Sequence, residues 1–525
     1  AASVGAAGPP VVEIRTEDDL RGLLDRLDAR VEAVHTARQL EFYLRLVGRP
    51  APNVGKYQQL HREIFADRVV AAALEAWRDR AADPVTSRRV ALYLDRYLNF
   101  LYDTFRTARV EPSVVERFTA LQDEIDAAMV AFRPAVGGER VTRARVAIVL
   151  RTDPDRSRRR EAFLSRAEAS ATLAAGVRGL LRVSNEMHRQ MGYRDTVEGR
   201  LDQSGLSPDE VAAWLGAIEE ATRGPYREML DVARLEMGVE RVEAWDVDFR
   251  LERAGAATAA AFPKAEAVPR LLASARALGF DPDALPITIE DANLANAGWN
   301  IPVRIPSDVR LVLNPTDGFQ FHATLFHEYG HALHEASIDQ SIGTFRSDRP
   351  GQFGEGMAGI LERLPGDPEW QRRMAGLTGE SIARAAQTER LRRIWRLRGI
   401  IARSRLHHAA FADPDGDLDA AEAESWKTVL MLEPPERPLW ADDMFLAQPQ
   451  VYMQNYVIGE MIAAQAWETL RERFGDGACA DPRVGPFLRE AFYRHGQAVE
   501  WRDLIERATG RPLDPAALLR ALGVP

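Results

Sequence analysis

Cysteine is almost absent from this 525-residue chain, because Cys479 is the only one. An internal disulfide and a zinc cluster built from several cysteine ligands are therefore excluded. A chain without disulfides suits reducing and oxidising compartments alike, so a cytoplasmic and a periplasmic or secreted location both stay open. The sequence also contains no run of about 20 apolar residues, and no transmembrane helix is predicted.

A strong excess of one charge is missing as well. The chain has 68 basic and 78 acidic residues, mixed along its length, for a formal net charge of -10. A nucleic-acid-binding protein usually presents a strongly basic face, so no nucleic-acid partner is predicted. With 46% hydrophobic and 28% charged residues the composition is that of a globular protein. We expect a soluble monomer with no membrane partner.

Helical periodicity dominates the apolar pattern. Apolar residues recur every three or four positions through most of residues 17–285, which predicts a series of amphipathic helices. Between Pro286 and Pro315 short alternating runs instead predict a small sheet of two or three strands. The helical period resumes at about Gly318, so the fold class is predicted to be mostly α.

This pattern predicts one large unit. Residues 17–525 are expected to form a single helical unit, with an N-terminal helical half at about 17–285 and a catalytic half at about 286–525. Residues 1–16 are rich in small side chains and are expected to be a flexible N-terminus. They lack the positive and apolar regions of a signal peptide, so they are either the remainder after signal cleavage or a frayed end.

One short motif carries chemistry. His327-Glu328-Tyr329-Gly330-His331 matches His-Glu-x-x-His within a segment that favours a helix. Residues four apart on a helix project about 40° apart, so both imidazoles face the same way and can bind one tetrahedral zinc ion. Glu328 lies between the two histidines and is predicted to be the general base that activates water.

A catalytic zinc ion needs a third protein ligand and one open position. Glu355 lies 24 residues beyond His331, on a second predicted helix that can return toward the histidine pair. We therefore predict one Zn²⁺ per chain, bound by His327, His331 and Glu355. His334 would close the open position as a fourth ligand, so it is predicted either to pack in the interior or to support the ligands from behind.

A family resemblance follows from these segments. Leu325–His334 resembles the zinc helix of the thimet oligopeptidase and oligoendopeptidase F family, and Phe353–Glu362 is similar to its glutamate-ligand helix, which has a second glutamate seven residues later. Phe345–Glu355 equally resembles the approach to the zinc glutamate in the angiotensin-converting enzyme family. The resemblance implies two helical halves that flank a deep substrate cleft, with a small sheet beside the zinc helix.

Two tyrosines are candidates for a catalytic role. The segment from Val451 to Glu460 resembles the tyrosine segment that faces the zinc in these peptidases, and Tyr452 and Tyr456 share one helix face. Either phenol could donate a hydrogen bond to the oxyanion formed during hydrolysis. The alternative is a pair of core tyrosines. Alignment to the converting enzymes favours Tyr456, and alignment to the oligopeptidases makes Tyr452 equally suitable.

The resemblance implies zinc-dependent hydrolysis of peptide bonds in short unstructured peptides, preferably at internal bonds. Three alternatives stay open: a dipeptidyl carboxypeptidase like angiotensin-converting enzyme, a zinc amidohydrolase that acts on a non-peptide amide, and an inactive zinc-binding scaffold. No histidine occurs from Met444 to Val451, where relatives commonly place one. The converting enzymes also have a histidine four residues before the tryptophan that matches Trp299, where this chain has Ala295, and their carboxylate-binding lysine has no clear counterpart here. These departures together disfavour dipeptide release, while the presence of Glu328 disfavours an inactive scaffold.

Overall fold

The computed structural model describes residues 14–96, 104–294, 297–348 and 350–524. Most of the predicted N-terminal segment, residues 1–13, lies outside these ranges. The helices before the larger sheet are α1 (Glu17–Leu46), α2 (Val54–Phe65), α3 (Arg68–Trp77), α4 (Pro84–Asp95), α5 (Pro112–Ala131), α6 (Arg143–Thr152), α7 (Arg156–Leu164), α8 (Arg166–Gln190), α9 (Thr196–Gln203), α10 (Pro208–Met237), α11 (Ala244–Ala259) and α12 (Lys264–Ala277). A two-residue hairpin, β1 (Ala135–Val136) and β2 (Glu139–Arg140), separates α5 from α6.

Helices again dominate after the larger sheet, which confirms the mostly α class. They are α13 (Phe319–Ala336), α14 (Gly351–Glu362), α15 (Pro368–Trp370), α16 (Gly379–Ala412), α17 (Leu418–Thr428), α18 (Met444–Ala447), α19 (Met453–Phe474), α20 (Val484–Ala491), α21 (Trp501–Thr509) and α22 (Ala516–Ala521). None of the described helices is long and apolar enough to cross a membrane.

The predicted small sheet has three strands. β3 (Ile287–Asp291) pairs in parallel with β5 (Asp308–Leu313), and β4 (Gly298–Arg304) pairs antiparallel with the other side of β5. The order β3-β5-β4 leaves β4 at an edge, beside α13. This edge strand therefore borders the helix that carries the zinc motif.

The buried apolar residues form one large cluster and several small ones. The large cluster extends from Ile125 to Val524 and includes residues on both sides of the predicted boundary at 285. Most of the buried residues from Leu20 to Ala108 form a second cluster among α1, α3, α4 and their neighbours. The division into two halves at this boundary stays a prediction.

Three helices meet closely at the centre of the molecule. A Cβ atom on Gly330 of α13 would lie 2.7 Å from the Cα atom of Ala358 in α14. A Cβ atom on Gly459 of α19 would lie 2.6 Å from the Cβ atom of Glu355, again in α14. Such distances are too short for real side chains, so glycine is required at both positions. These contacts fix α14 between the zinc motif and the tyrosine segment.

The first helix is attached to the predicted catalytic half by polar contacts. Asp28 accepts a hydrogen bond from the hydroxyl of Thr344, and Glu32 accepts one from Arg304 at 2.6 Å. Farther along α1, the Phe42 ring meets the Trp299 ring edge to face, with centroids 5.9 Å apart. Residues of α1 therefore line the same cleft as the zinc motif.

The cleft has a volume of about 700 Å³. Its lining comes from both predicted halves and includes residues of α1, α2, α4 and α5 together with residues of β4, α13, α14 and the tyrosine segment. The observed arrangement thus contains the cleft and the adjacent sheet that the family resemblance implied.

Candidate active site

The two histidines of the motif lie side by side on α13, as the helical spacing predicts. Their ring centroids are 4.8 Å apart and their planes are inclined by 84°. The side chains of His327 and His331 both line the cleft. Their positions allow one Nε2 atom from each ring to approach the same metal ion.

Glu355, which lies on α14, is the third residue of the predicted metal-ligand set. Its Oε2 atom lies 3.3 Å from His327 Nε2 and 3.9 Å from His331 Nε2. Two donor atoms bound to one tetrahedral zinc ion at about 2.1 Å are about 3.4 Å apart, which is close to these distances. The three ligand atoms all lie within 4.8 Å of one another. The geometry therefore fits one Zn²⁺, with the ligand set that the sequence predicted.

The hydrogen bonding around these atoms also fits a cation. Glu355 Oε2 is buried and accepts no hydrogen bond of ordinary geometry in the described part of the chain, although it faces both histidines. Burial acts to raise the pKa of Glu355, but His327, His331 and Tyr452 lower it to about 2. The carboxylate is thus ionised and directed at the position between the histidines, which is the state required of a zinc ligand.

A second carboxylate orients His327 from behind. With Nε2 directed at the metal position, Nδ1 carries the proton and donates to Glu362 Oε2 at 2.8 Å. Arg396 donates to the other oxygen of Glu362 at 2.9 Å. Burial acts to raise the pKa of Glu362, but Arg396 and His327 hold it well below its usual value. This Arg–Glu–His chain fixes the tautomer and the ring orientation of the first ligand.

Glu328 is held by the edge strand. The backbone N–H of Asn300 in β4 donates to Glu328 Oε2 at 2.7 Å, and the Asn300 side-chain amide donates to Glu335 Oε2 at 2.7 Å. A Cβ atom on Gly298 would lie 3.3 Å from Glu328 Cγ, so the strand also packs closely against this side chain. Sequence reasoning missed Asn300 and Arg396, because no motif marks them and only the tertiary fold brings them to the site.

The two tyrosines occupy different positions. The hydroxyl of Tyr452 donates to Glu355 Oε1 at 2.6 Å, so this phenol contacts the carboxylate of a predicted zinc ligand. Tyr456 lies in the first turn of α19, is partly exposed and lines the cleft. The rings of Tyr452 and Tyr456 are 5.1 Å apart and inclined by 74°. The Tyr452 hydroxyl is thus bonded to Glu355, whereas Tyr456 borders the cleft, and the catalytic role of either phenol stays a prediction.

We expect phenylalanine substitutions of the two tyrosines to affect different properties, turnover in one case and zinc affinity in the other. Tyr456→Phe should lower kcat by about 10²–10³, since one preorganised donor to the oxyanion is lost. Tyr452→Phe should instead weaken zinc binding by about tenfold to 100-fold, because Glu355 loses the hydrogen bond that orients it. Steady-state kinetics at saturating zinc and zinc titration of both variants check this. If neither variant slows turnover threefold while both fold and bind zinc normally, the tyrosines have only a core role.

His334 on α13 and His407 on α16 are both buried. His334 is fully buried and packs against the rings of Phe353 and Tyr493, in agreement with the predicted interior role. The sequence of α16 predicts a basic amphipathic helix with His407 and its neighbour on a solvated face. That prediction is wrong for His407, which is 1% exposed and lies 3.1 Å from an Asp443 carboxylate oxygen. The physical reason is that the segment after α17 folds over this face of α16.

Solved structures with the same fold exist at low sequence identity. The M32 carboxypeptidase from Deinococcus radiodurans R1 gives a TM-score of 0.69 at 17% identity, over 96% of this chain and 98% of that chain. Pyrococcus furiosus carboxypeptidase gives 0.67 at 14% identity, over 98% and 99%. Trypanosoma cruzi metallocarboxypeptidase 1 gives 0.66 at 13% identity, over 97% and 100%. No protein-family model and no curated protein matches this chain.

This chain therefore shares a fold with metallocarboxypeptidase structures over nearly its full length. The similarity confirms the mostly helical architecture that the apolar periodicity predicted. The narrower resemblance to the thimet oligopeptidase and angiotensin-converting enzyme families stays a prediction, as do the roles of the site residues.

Proposed function

We propose that this protein is a zinc-dependent peptidase that hydrolyses short unstructured peptides. The observation that carries the proposal is the convergence of His327, His331 and Glu355 on one position in a long cleft, with Glu328 beside it. Zn²⁺ held there supplies a Lewis acid and lowers the pKa of water. Glu328, fixed by the Asn300 N–H, accepts the proton from water and passes it to the leaving amine.

The shape of the site limits the substrate. The predicted metal ligands line a cleft of about 700 Å³ together with residues of α1, and a concave site of this size supports short flexible peptides as the substrates. The experiment is turnover of a quenched peptide library by the zinc-loaded protein, with a chelator control. Cleavage of non-peptide amides alone would indicate an amidohydrolase. Zinc binding without any turnover would indicate an inactive scaffold.

A second observation concerns where the peptide is cut. The similar structures described above are of carboxypeptidases, and three arginines, Arg38, Arg304 and Arg346, line the cleft. Arginine binds a carboxylate with two parallel hydrogen bonds, so such side chains suit the C-terminus of a peptide. Arg304 and Arg346 pair with Glu32 but keep 55% and 24% of their side chains exposed, so part of each guanidinium group is accessible from the cleft. We therefore favour release of C-terminal residues over internal cleavage.

Amidation of the substrate C-terminus distinguishes the two modes. We expect a peptide amide to be cleaved at least about tenfold more slowly than the matching free acid, since the amide lacks the charge that arginine binds. Initial rates and mass spectrometry of the products measure this. Equal rates for the pair, with internal fragments as products, would favour the oligopeptidase mode instead.

A further inference from the structure

A carboxylate without a positive partner faces the proposed substrate cleft. Asp126 lies on α5, is partly exposed and lines the cleft. Among the described residues it forms no ion pair, and its hydrogen-bond contact is the Gln448 side-chain amide at 3.5 Å. Asp28 and Glu32 in the same cleft are each paired with arginine.

The electrostatic surroundings of Asp126 lack a compensating cation. Burial raises the pKa of its carboxyl, the contact with Gln448 lowers it, and the negative charge of Asp123 raises it further. A partly desolvated carboxylate beside a second carboxylate is unfavourable unless a positive group approaches it. A cationic group of a bound ligand would supply the missing counter-charge.

The surface next to Asp126 suits a long aliphatic stem. Met444 begins the short helix α18, lines the cleft and is 47% exposed, which is unusual for a large apolar side chain. Phe445 follows it, also lines the cleft, and stacks on the ring of Tyr452 with centroids 5.9 Å apart. Gln448, one turn after Met444, contacts Asp126. Lysine and arginine side chains combine an apolar stem with a charged end and match this arrangement.

We propose that Asp126 and the adjacent Met444–Phe445 surface form a subsite for a basic side chain of the peptide substrate. The carboxylate binds the ammonium or guanidinium group, and the apolar surface contacts the methylene stem. The phenol of Tyr452, which contacts Glu355, stacks on this surface, so the subsite is continuous with the candidate metal centre. The inference rests on the proposed function, and Asp126 determines specificity without taking part in the chemical step.

The test measures binding separately from turnover. Zinc-loaded full-length protein carrying Glu328→Gln holds a peptide without cleaving it, and fluorescence anisotropy gives its Kd. The peptides are made in pairs that carry either lysine or norleucine at one position, and this position is moved along the peptide. Because the two side chains share an aliphatic stem, the difference in Kd within a pair reports the contribution of the ammonium group. N-acetylated and free peptides distinguish a basic side chain from the N-terminal amine.

At one position, we expect the peptide with lysine to bind about tenfold more tightly than the peptide with norleucine, because its ammonium group forms a partly desolvated ion pair with Asp126. The added change Asp126→Asn should reduce this ratio to less than about twofold, and added salt should reduce it in the parent. Glu124→Gln, at an exposed position of the same helix, is the matched control and should leave the ratio unchanged. Circular dichroism confirms that each variant folds.

Three outcomes would overturn the subsite. They are the absence of a lysine preference at every position, a preference that survives Asp126→Asn, and a preference that requires only a free N-terminus. Wild-type protein that cleaves no peptide but whose Glu328→Gln form shows the Asp126-dependent preference would overturn the proposed function and support the subsite. Peptide cleavage by the wild-type protein without any preference for a basic side chain would support the proposed function and overturn the subsite.

Discussion

Glu328→Gln is expected to lower kcat by about 10²–10⁴ while zinc stays bound, because the amide keeps the shape of the side chain but cannot accept a proton. Glutamine can still receive the hydrogen bond from the Asn300 N–H through its carbonyl oxygen, so the strand contact persists. Single-turnover kinetics and metal analysis of the purified variant measure both properties.

Glu335 provides the matched control for this variant. It lies on the same helix, lines the same cleft and accepts its hydrogen bond from the side chain of Asn300 instead of the backbone. Glu335→Gln removes an equal charge, and we expect it to change kcat by less than about tenfold, since no proton transfer is lost. Equal losses in both variants would show that net charge matters and proton transfer does not. More than a tenth of the parent kcat in Glu328→Gln would assign the base to another group.

The helix and sheet pattern of this chain could be predicted because it depends on local periodicity. The alternating segment between Pro286 and Pro315 became β3, β4 and β5, and the spacing of His327 and His331 placed both rings on one helix face. Glu355 could be proposed from its position after the motif and from the family resemblance. The contacts of its Oε2 atom with both histidines agree with that choice.

The parts that sequence reasoning missed depend on contacts between distant segments. Nothing near Asn300 in the sequence shows that its N–H will meet Glu328, because that contact requires β4 to lie at the sheet edge beside α13. The prediction of a solvated face for His407 was wrong for the same reason, because Asp443, which contacts its ring, lies in a distant segment of the chain. From the sequence alone, Gly459 is an unfavourable residue inside a helix. The structure explains it, because a Cβ atom at this position would lie only 2.6 Å from the Cβ atom of Glu355.

The prediction with the largest effect on the metal concerns Glu355. Glu355→Ala removes the one carboxylate oxygen that faces both histidines, and two imidazoles alone leave a catalytic zinc site incomplete. Loss of a partner outside the ligand set already costs about 10–100-fold in metal affinity, so loss of the ligand itself should weaken zinc binding by more than about 10². Activity at limiting zinc should fall at least as far.

The matched variant for Glu355→Ala is Glu362→Gln, which keeps the three ligands and changes only the partner of His327 Nδ1. We expect it to weaken zinc binding by about 10–100-fold, less than Glu355→Ala, because the ring loses orientation but not its ligand atom. Competition with a fluorescent chelator gives both affinities, and elemental analysis after dialysis gives occupancy. Full zinc occupancy in Glu355→Ala would remove this residue from the metal site, and a larger loss in Glu362→Gln would identify that carboxylate as the third ligand instead.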